Sequence, residues 1–269
     1  MEINKIQPNV AAIFEGRDWL LHGYEIFKKQ PLVWILTLLA YWTAMFLFGL
    51  IPIVGLIVSL VISPGIAFGF ICLAKAVDQN QMVPPRIIIS GFTGSKKFDL
   101  ILLGFYYCGS LFLIFILIML LNDKSIIELV NNPDLQIKSG TQSENLFNIK
   151  IITVLILYIP VQMIFWFAPQ LVVWGNLNSI KAMFYSFFAV LLNWKSFLTY
   201  LLTWVMVMLS ISIFIALLIS LFKIDHGSLF VLFLPISLLI MSVAHCSYYA
   251  STKTIFSDLV AKHSNTNPN

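Results

Sequence analysis

The chain has 269 residues, of which 59% are hydrophobic and only 10% charged, against roughly 45–50% and about 25% in soluble globular domains. Too few ionic groups are present to cover a water-exposed globule of this size, so a soluble fold is excluded and a polytopic membrane protein is indicated. The net charge of +4 is too weak a bias for a nucleic-acid partner, while 23 Phe, 9 Tyr and 7 Trp suit lipid contact and interfacial belts.

The N-terminal arm, residues 1–31, carries Glu2, Lys5, Glu15, Arg17, Asp18, Glu25, Lys28 and Lys29. These charges interrupt any early apolar region of the signal-peptide kind, so the arm is expected to be retained. Ile13, Leu20, Tyr24 and Phe27 recur in it at roughly helical intervals, with Arg17, Asp18, Glu25 and Lys28 lying elsewhere. The pattern predicts an amphipathic helix resting on the cytoplasmic leaflet, with no protein partner needed for its apolar face. Asp18, His22 and Glu25 stand at i, i+4 and i+7, a spacing that could serve a metal. An exposed polar stripe needs such residues anyway, and no second cluster completes a coordination shell, so no metal is expected.

A bilayer core about 30 Å thick takes about 20 apolar residues to cross, and six runs qualify: 32–50, 56–76, 98–121, 151–174, 197–221 and 228–249. Residues 51–55 form the first turn, and the polar, Asn-rich 122–150 is the one connection long enough for structure outside the bilayer. Residues 181–194, with Phe184, Phe187, Phe188 and Leu191, repeat the amphipathic pattern of the arm. Lys29, Lys97 and Lys195 each mark entry into an odd-numbered run, and Pro64, Pro160 and Pro235 recur in the even-numbered ones. The expected fold is all-α: six transmembrane helices in three hairpins, with amphipathic helices on the cytoplasmic side. The arm is followed by a membrane domain, 32–250, and a polar tail, 251–269. Twelve of the sixteen Lys and Arg fall on the side of the two termini, which predicts that both termini are cytoplasmic.

The span centres hold no charged residue, which disfavours proton-coupled transport through carboxylates. Residues 91–96 have neither the spacing nor the Lys-Ser/Thr order of a phosphate-binding loop, and no GxSxG, HExxH or dinucleotide fingerprint is present. Cys72, Cys108 and Cys246 lack CxxC spacing and read as small buried apolar residues.

The densest feature is the fourth run. Pro160 and Pro169 each remove a backbone donor and crowd an earlier carbonyl, which leaves groups near Trp166 and Phe167 without helical partners and Gln162 and Gln170 as candidate replacements. Such a segment is expected to face the bundle interior and to approach Pro64 and Pro235 in an apolar recess for a lipid tail or similar amphiphile. The candidate contacts are Pro64, Pro160, Gln162, Trp166, Phe167, Pro169 and Pro235.

The stretches FWFAPQLVVW, KAMFYSFFAVLLNWKSFLTY, WLLHGYEIFKKQPL and VPPRIIISGF resemble a family of six-span bacterial inner-membrane proteins, over nearly the whole chain. More distantly, the chain is similar to the membrane domain attached to some glycerophosphodiester phosphodiesterases, without their catalytic domain. The resemblance implies fold and inner-membrane location and brings no catalytic residue or cofactor. The expectation is a non-enzymatic protein with a structural, envelope-maintenance or lipid-contacting role and membrane lipids as partners. The alternative is a carrier for a neutral or amphiphilic solute, which a polar cavity at mid-membrane would favour.

Overall fold

Apolar runs of this length find no water to bond their backbone in a bilayer and close their hydrogen bonds internally, as helices. The computed structural model, which describes residues 6–84, 86–120, 140–222 and 226–264, has six spans long and apolar enough to cross a membrane. They are α2 (Pro31–Gly49), α3 (Val54–Asp78), α5 (Lys97–Leu120), the consecutive pair α6 (Gly140–Phe165) and α7 (Ala168–Val173), α9 (Trp194–Phe222) and α10 (His226–Ile255). Helix α1 (Glu15–Lys29) precedes them; a 3₁₀ turn at Ile87–Ile89 leads into the short α4 (Ser90–Thr93); α8 (Ser179–Leu192) enters α9; and α11 (Ser257–Ser264) closes the chain. No strand occurs among the described residues. Helix α10 runs further than its apolar stretch because the hydroxyls of Ser247, Ser251 and Thr252 bond back to carbonyls of the same helix and so do not end it. Of the polar connection expected over 122–150, the part up to 139 lies outside the described residues, and the remainder is already helix α6.

The core gathers toward the end of the bundle that holds Lys29, Asp78, Lys97 and Lys253. In α2 the buried residues are Trp34 and Leu38, in α5 Leu100 and Leu103 with Ile114 further along, and in α10 they run from Leu238 to Ile255. At the other end Phe46, Leu47, Phe112, Leu113, Ile213 and Phe214 are exposed, as side chains facing acyl chains are.

Helix α1 does not rest on the leaflet as its stripe suggests. Trp19 and Ile26 are fully enclosed, at 1% and 0% exposure, and Leu20 and Phe27 are buried with them, whereas Ile13 and Tyr24 of the expected apolar face are exposed. The helix packs on both α9 and α10, and two glycines seven residues apart make this possible. A Cβ at Gly16 would run into the Ser196 carbonyl and Thr199, and a Cβ at Gly23 would lie 2.6 Å from the Ser247 amide nitrogen. Small residues permit this close backbone approach in membrane bundles. The third hairpin is therefore not a packed pair: α1 occupies the seam of α9 and α10, which Tyr200 and Ser247 bridge by a 2.7 Å hydroxyl contact. Trp19 Nε1 donates to Thr254 Oγ1 at 3.1 Å.

The arm before α1 is fastened as firmly. Buried Asn193 accepts from the Ala11 amide at 2.7 Å and donates to the Asn9 carbonyl at 3.0 Å, and the Asn9 amide donates to Ile255 O at 2.8 Å. Phe256 and Val260 are buried as well. Residues 6–31 and 251–264 thus pack on the spans. Helix α8 also packs on protein, through a face other than its apolar stripe. It buries Ser179, Ala182, Ser186 and Ala189 against α6 and α7 and leaves Phe184, Phe188 and Leu191 exposed, because the small face is the one that allows close approach.

Candidate functional site

Pro169 has no N–H to give the carbonyl four residues earlier, and α6 accordingly ends at Phe165. The helix restarts as α7, with Pro169 in its first turn, where no amide donor is required. Pro160, by contrast, lies inside α6 without ending it. The groups freed at Trp166 and Phe167 find partners on two other helices. Ser186 Oγ of α8 accepts from the Phe167 amide at 2.9 Å and donates to the Met163 carbonyl at 2.9 Å, and the Tyr248 hydroxyl of α10 donates to the Trp166 carbonyl.

The two glutamines do not fill this role. Gln162 reaches back one turn to the Tyr158 hydroxyl. Gln170 donates to Thr252 Oγ1 at 3.1 Å, and its Oε1 lies 3.3 Å from the Tyr248 hydroxyl. Fixed from both sides, Trp166 stands edge-on to Phe197, Tyr200 and Tyr248, with ring centroids 5.2–6.1 Å apart, and donates to Ser251 Oγ at 3.3 Å.

Beside this break lies a cavity of about 550 Å³. All six spans contribute to its wall: Tyr41 from α2, Pro64 and Phe70 from α3, Tyr107 from α5, Gln162, Trp166 and Pro169 from the broken span, Tyr200 from α9, and His245 and Tyr248 from α10. The structure thus brings together Pro64, Gln162, Trp166 and Pro169 of the residues singled out in the sequence. It does not bring in the other three. Phe167 is fully buried behind the wall, edge-on to Phe197 and Phe256. Pro160 and Pro235 are exposed on the outsides of α6 and α10, since three prolines at similar depth along their helices need not share an azimuth.

No Asp, Glu, Lys or Arg lines the cavity. Its polarity comes from phenol hydroxyls, one carboxamide and one imidazole. His245 lies flat on Phe70, with ring centroids 4.0 Å apart at 12°. Neither its ring nitrogens nor the Tyr41 hydroxyl hydrogen-bonds a described residue, so both remain available to a guest. Such a wall can bury an apolar body and hold one or two uncharged polar groups.

The tyrosines and His245 were the signal missed in sequence. Tyr41, Tyr107 and Tyr200 lie well inside apolar spans, where a hydroxyl requires a partner, whereas the composition invited their assignment to interfacial belts.

Elsewhere, Asp18, His22 and Glu25 do not converge. Asp18 pairs with Arg17 at 3.0 Å, while His22 stands between Glu25 at 3.5 Å and Asp78 of α3 at 3.7 Å. Asp78 also takes Lys253 at 2.7 Å and Lys29 at 3.4 Å, a charge cluster that ties α1, α3 and α10 together and was not read from the sequence. Among the described residues no group of three or more His, Cys, Asp and Glu is placed to hold a metal. Cys72, Cys108 and Cys246 are free thiols.

No family model matches the chain, and no solved structure matches it. It is 30% identical over 253 residues to a protein of Burkholderia thailandensis whose name is probable inner membrane protein, the match covering 90% of each chain.

Proposed function

The chain belongs to the family of that Burkholderia probable inner membrane protein, and on this footing we propose that it is a non-enzymatic, multi-pass inner-membrane protein that holds a lipid tail or other uncharged amphiphile in its central cavity. The observation that carries the reading is a charge-free, largely aromatic wall to which all six spans contribute, with two polar groups left for a guest. A volume of about 550 Å³ lies within the ~300–1,000 Å³ of small-molecule sites.

Native mass spectrometry of the purified protein tests it. The wild type should retain co-purifying lipid, and Trp166→Ala, which removes the wall at the helix break, should retain several-fold less. Equal retention in the two would defeat the reading.

The position of the cavity beside an interrupted span supports a second reading, a carrier for a neutral amphiphile, since discontinuous helices often flank transported cargo. Protein-containing vesicles would then move a fluorescent lipid analogue between leaflets faster than protein-free vesicles, and equal rates would leave holding rather than carrying.

Both termini are proposed to be cytoplasmic, with the packed end of the bundle on that side. Lys28, Lys29, Lys96, Lys97 and Lys253 belong to the segments gathered at that end, and cationic loops resist translocation. Single cysteines placed at Ser139 and Ser264, in a background without the native three, give the check in intact cells. An impermeant thiol reagent should label position 139 and spare position 264; the opposite pattern would invert every side assignment.

A further inference from the structure

A second cavity, of about 420 Å³, lies where the end of α3, the 79–93 connection, Trp174 and α11 meet, and none of its wall is shared with the central one. Its chemistry differs too, because Lys75 and Arg86 line it. Lys75 is held against the packed body: its ammonium sits 5.4 Å from the centroid of the Trp174 ring and donates to the His263 carbonyl at 2.6 Å. One carbonyl and one indole face do not neutralise it. Among the described residues neither Lys75 nor Arg86 has a carboxylate within ion-pair distance, and unlike the other unpaired cations Lys75 is held against an indole face and a carbonyl inside a recess. Ser90 and Thr93 add hydroxyls to the wall, the enclosed Ser90 oxygen beside the Cys72 thiol and the Thr93 hydroxyl donating to the Ser90 carbonyl at 3.2 Å.

Two cations on one recess, both lacking an anion, form a complement to a compact oxyanion. A half-enclosed ammonium without a counter-charge is costly, and a bound anion would remove that cost. We propose that this recess binds a phosphate group, carried by an anionic phospholipid headgroup or arriving as free phosphate. Lys75 would act as the enclosed point charge and Arg86 as the planar donor at the rim. The central cavity has no charge with which to tell lipid headgroups apart, so of the two cavities this recess is the one able to select a headgroup.

The test uses the full-length protein in detergent, with phosphatidylglycerol and phosphatidylcholine of identical acyl chains in equal amounts and native mass spectrometry as the readout. The wild type should retain phosphatidylglycerol at least tenfold over phosphatidylcholine. Arg86→Gln, an exposed side chain with no partner to lose, should cut that ratio several-fold while leaving the melting temperature unchanged, and Lys75→Gln should abolish it. Trp166→Ala should lower total retained lipid without changing the ratio.

Inorganic phosphate distinguishes the two sources. If millimolar phosphate binds the wild type, fails to bind Arg86→Gln and displaces phosphatidylglycerol, free phosphate is the ligand. If it neither binds nor competes while the lipid ratio holds, the headgroup is the ligand. A wild type that shows no headgroup preference and binds no phosphate overturns the proposal, as does a preference or phosphate binding that persists undiminished in both variants.

Discussion

Gly23→Leu should prevent α1 from seating and should cause a large loss of folded protein. The wall opposite Gly23 is backbone: an added Cβ would meet the Ser247 nitrogen at 2.6 Å and its Cα at 2.8 Å. Neither atom can swing away as a side-chain tip would, so α1 must move off α10. That movement breaks the Trp19–Thr254 hydrogen bond and uncovers Trp19, Leu20, Ile26 and Phe27 together.

Overpacking a well-filled core costs roughly 1–3 kcal/mol and more where relaxation is blocked, and exposing several large apolar side chains adds about 1.5–3 kcal/mol for each one that is not reburied. Leu21→Ala, on the exposed side of the same helix, serves as the comparison. Size-exclusion yield and thermal unfolding in detergent should show Gly23→Leu depleted or strongly destabilised and Leu21→Ala close to wild type. A Gly23→Leu protein that unfolds at the wild-type temperature would mean that the α1–α10 seam is not as close as described.

The second large effect is expected at Ser186, whose one hydroxyl completes both strands of the break in the fourth span. Its oxygen accepts from the Phe167 amide and donates to the Met163 carbonyl, at 2.9 Å in each case, and the residue has 0% exposure. In Ser186→Ala both backbone groups are left without a partner in the bundle interior, and each unmade bond costs about 1–3 kcal/mol. The methyl group of alanine can neither donate to the Met163 carbonyl nor accept from the Phe167 amide. Ser237→Ala removes a hydroxyl that bonds only Leu234 O of its own helix and should cost little. Thermal unfolding of the two variants decides the matter: similar losses would show that Ser186 does not hold the break together.

Much of this architecture is legible in the sequence, and the illegible part has a common physical origin. An apolar run of span length must be a helix in lipid, so the six spans and their approximate limits follow from composition alone. The interruption near Trp166 follows from Pro169, because a missing N–H is a local fact. What covers a given face is not local. The stripe on α1 says that something apolar lies over Leu20 and Phe27, and lipid and protein satisfy that requirement equally.

The discriminating signal was Gly16 and Gly23, small residues placed for close approach to backbone, whereas aromatic and branched residues alone were counted. On α8 likewise the apolar stripe of Phe184 and Phe188 stays exposed, and the face that packs on protein is the small one of Ala182, Ser186 and Ala189. The cavity was found from its prolines. Its polar groups, Tyr41, Tyr107, Tyr200 and His245, come from four different helices, and their convergence depends on helix rotation, which hydropathy does not encode.

The seating of α1 bears on biogenesis. Its partners Ser196, Tyr200, Ser247 and Thr254 lie some 180 to 240 positions downstream, so at synthesis rates of about 5–20 residues per second the helix leaves the ribosome roughly 10–50 s before its final groove exists. During that interval Trp19, Ile26 and Phe27 have the bilayer surface as their available cover, and the leaflet-bound state written into the amphipathic stripe becomes an assembly intermediate that the finished protein abandons. Helix α1 is then made before its partners and placed after them, and a nascent chain stalled before residue 254 would display to the cell's quality-control proteases the apolar surface that the completed chain conceals.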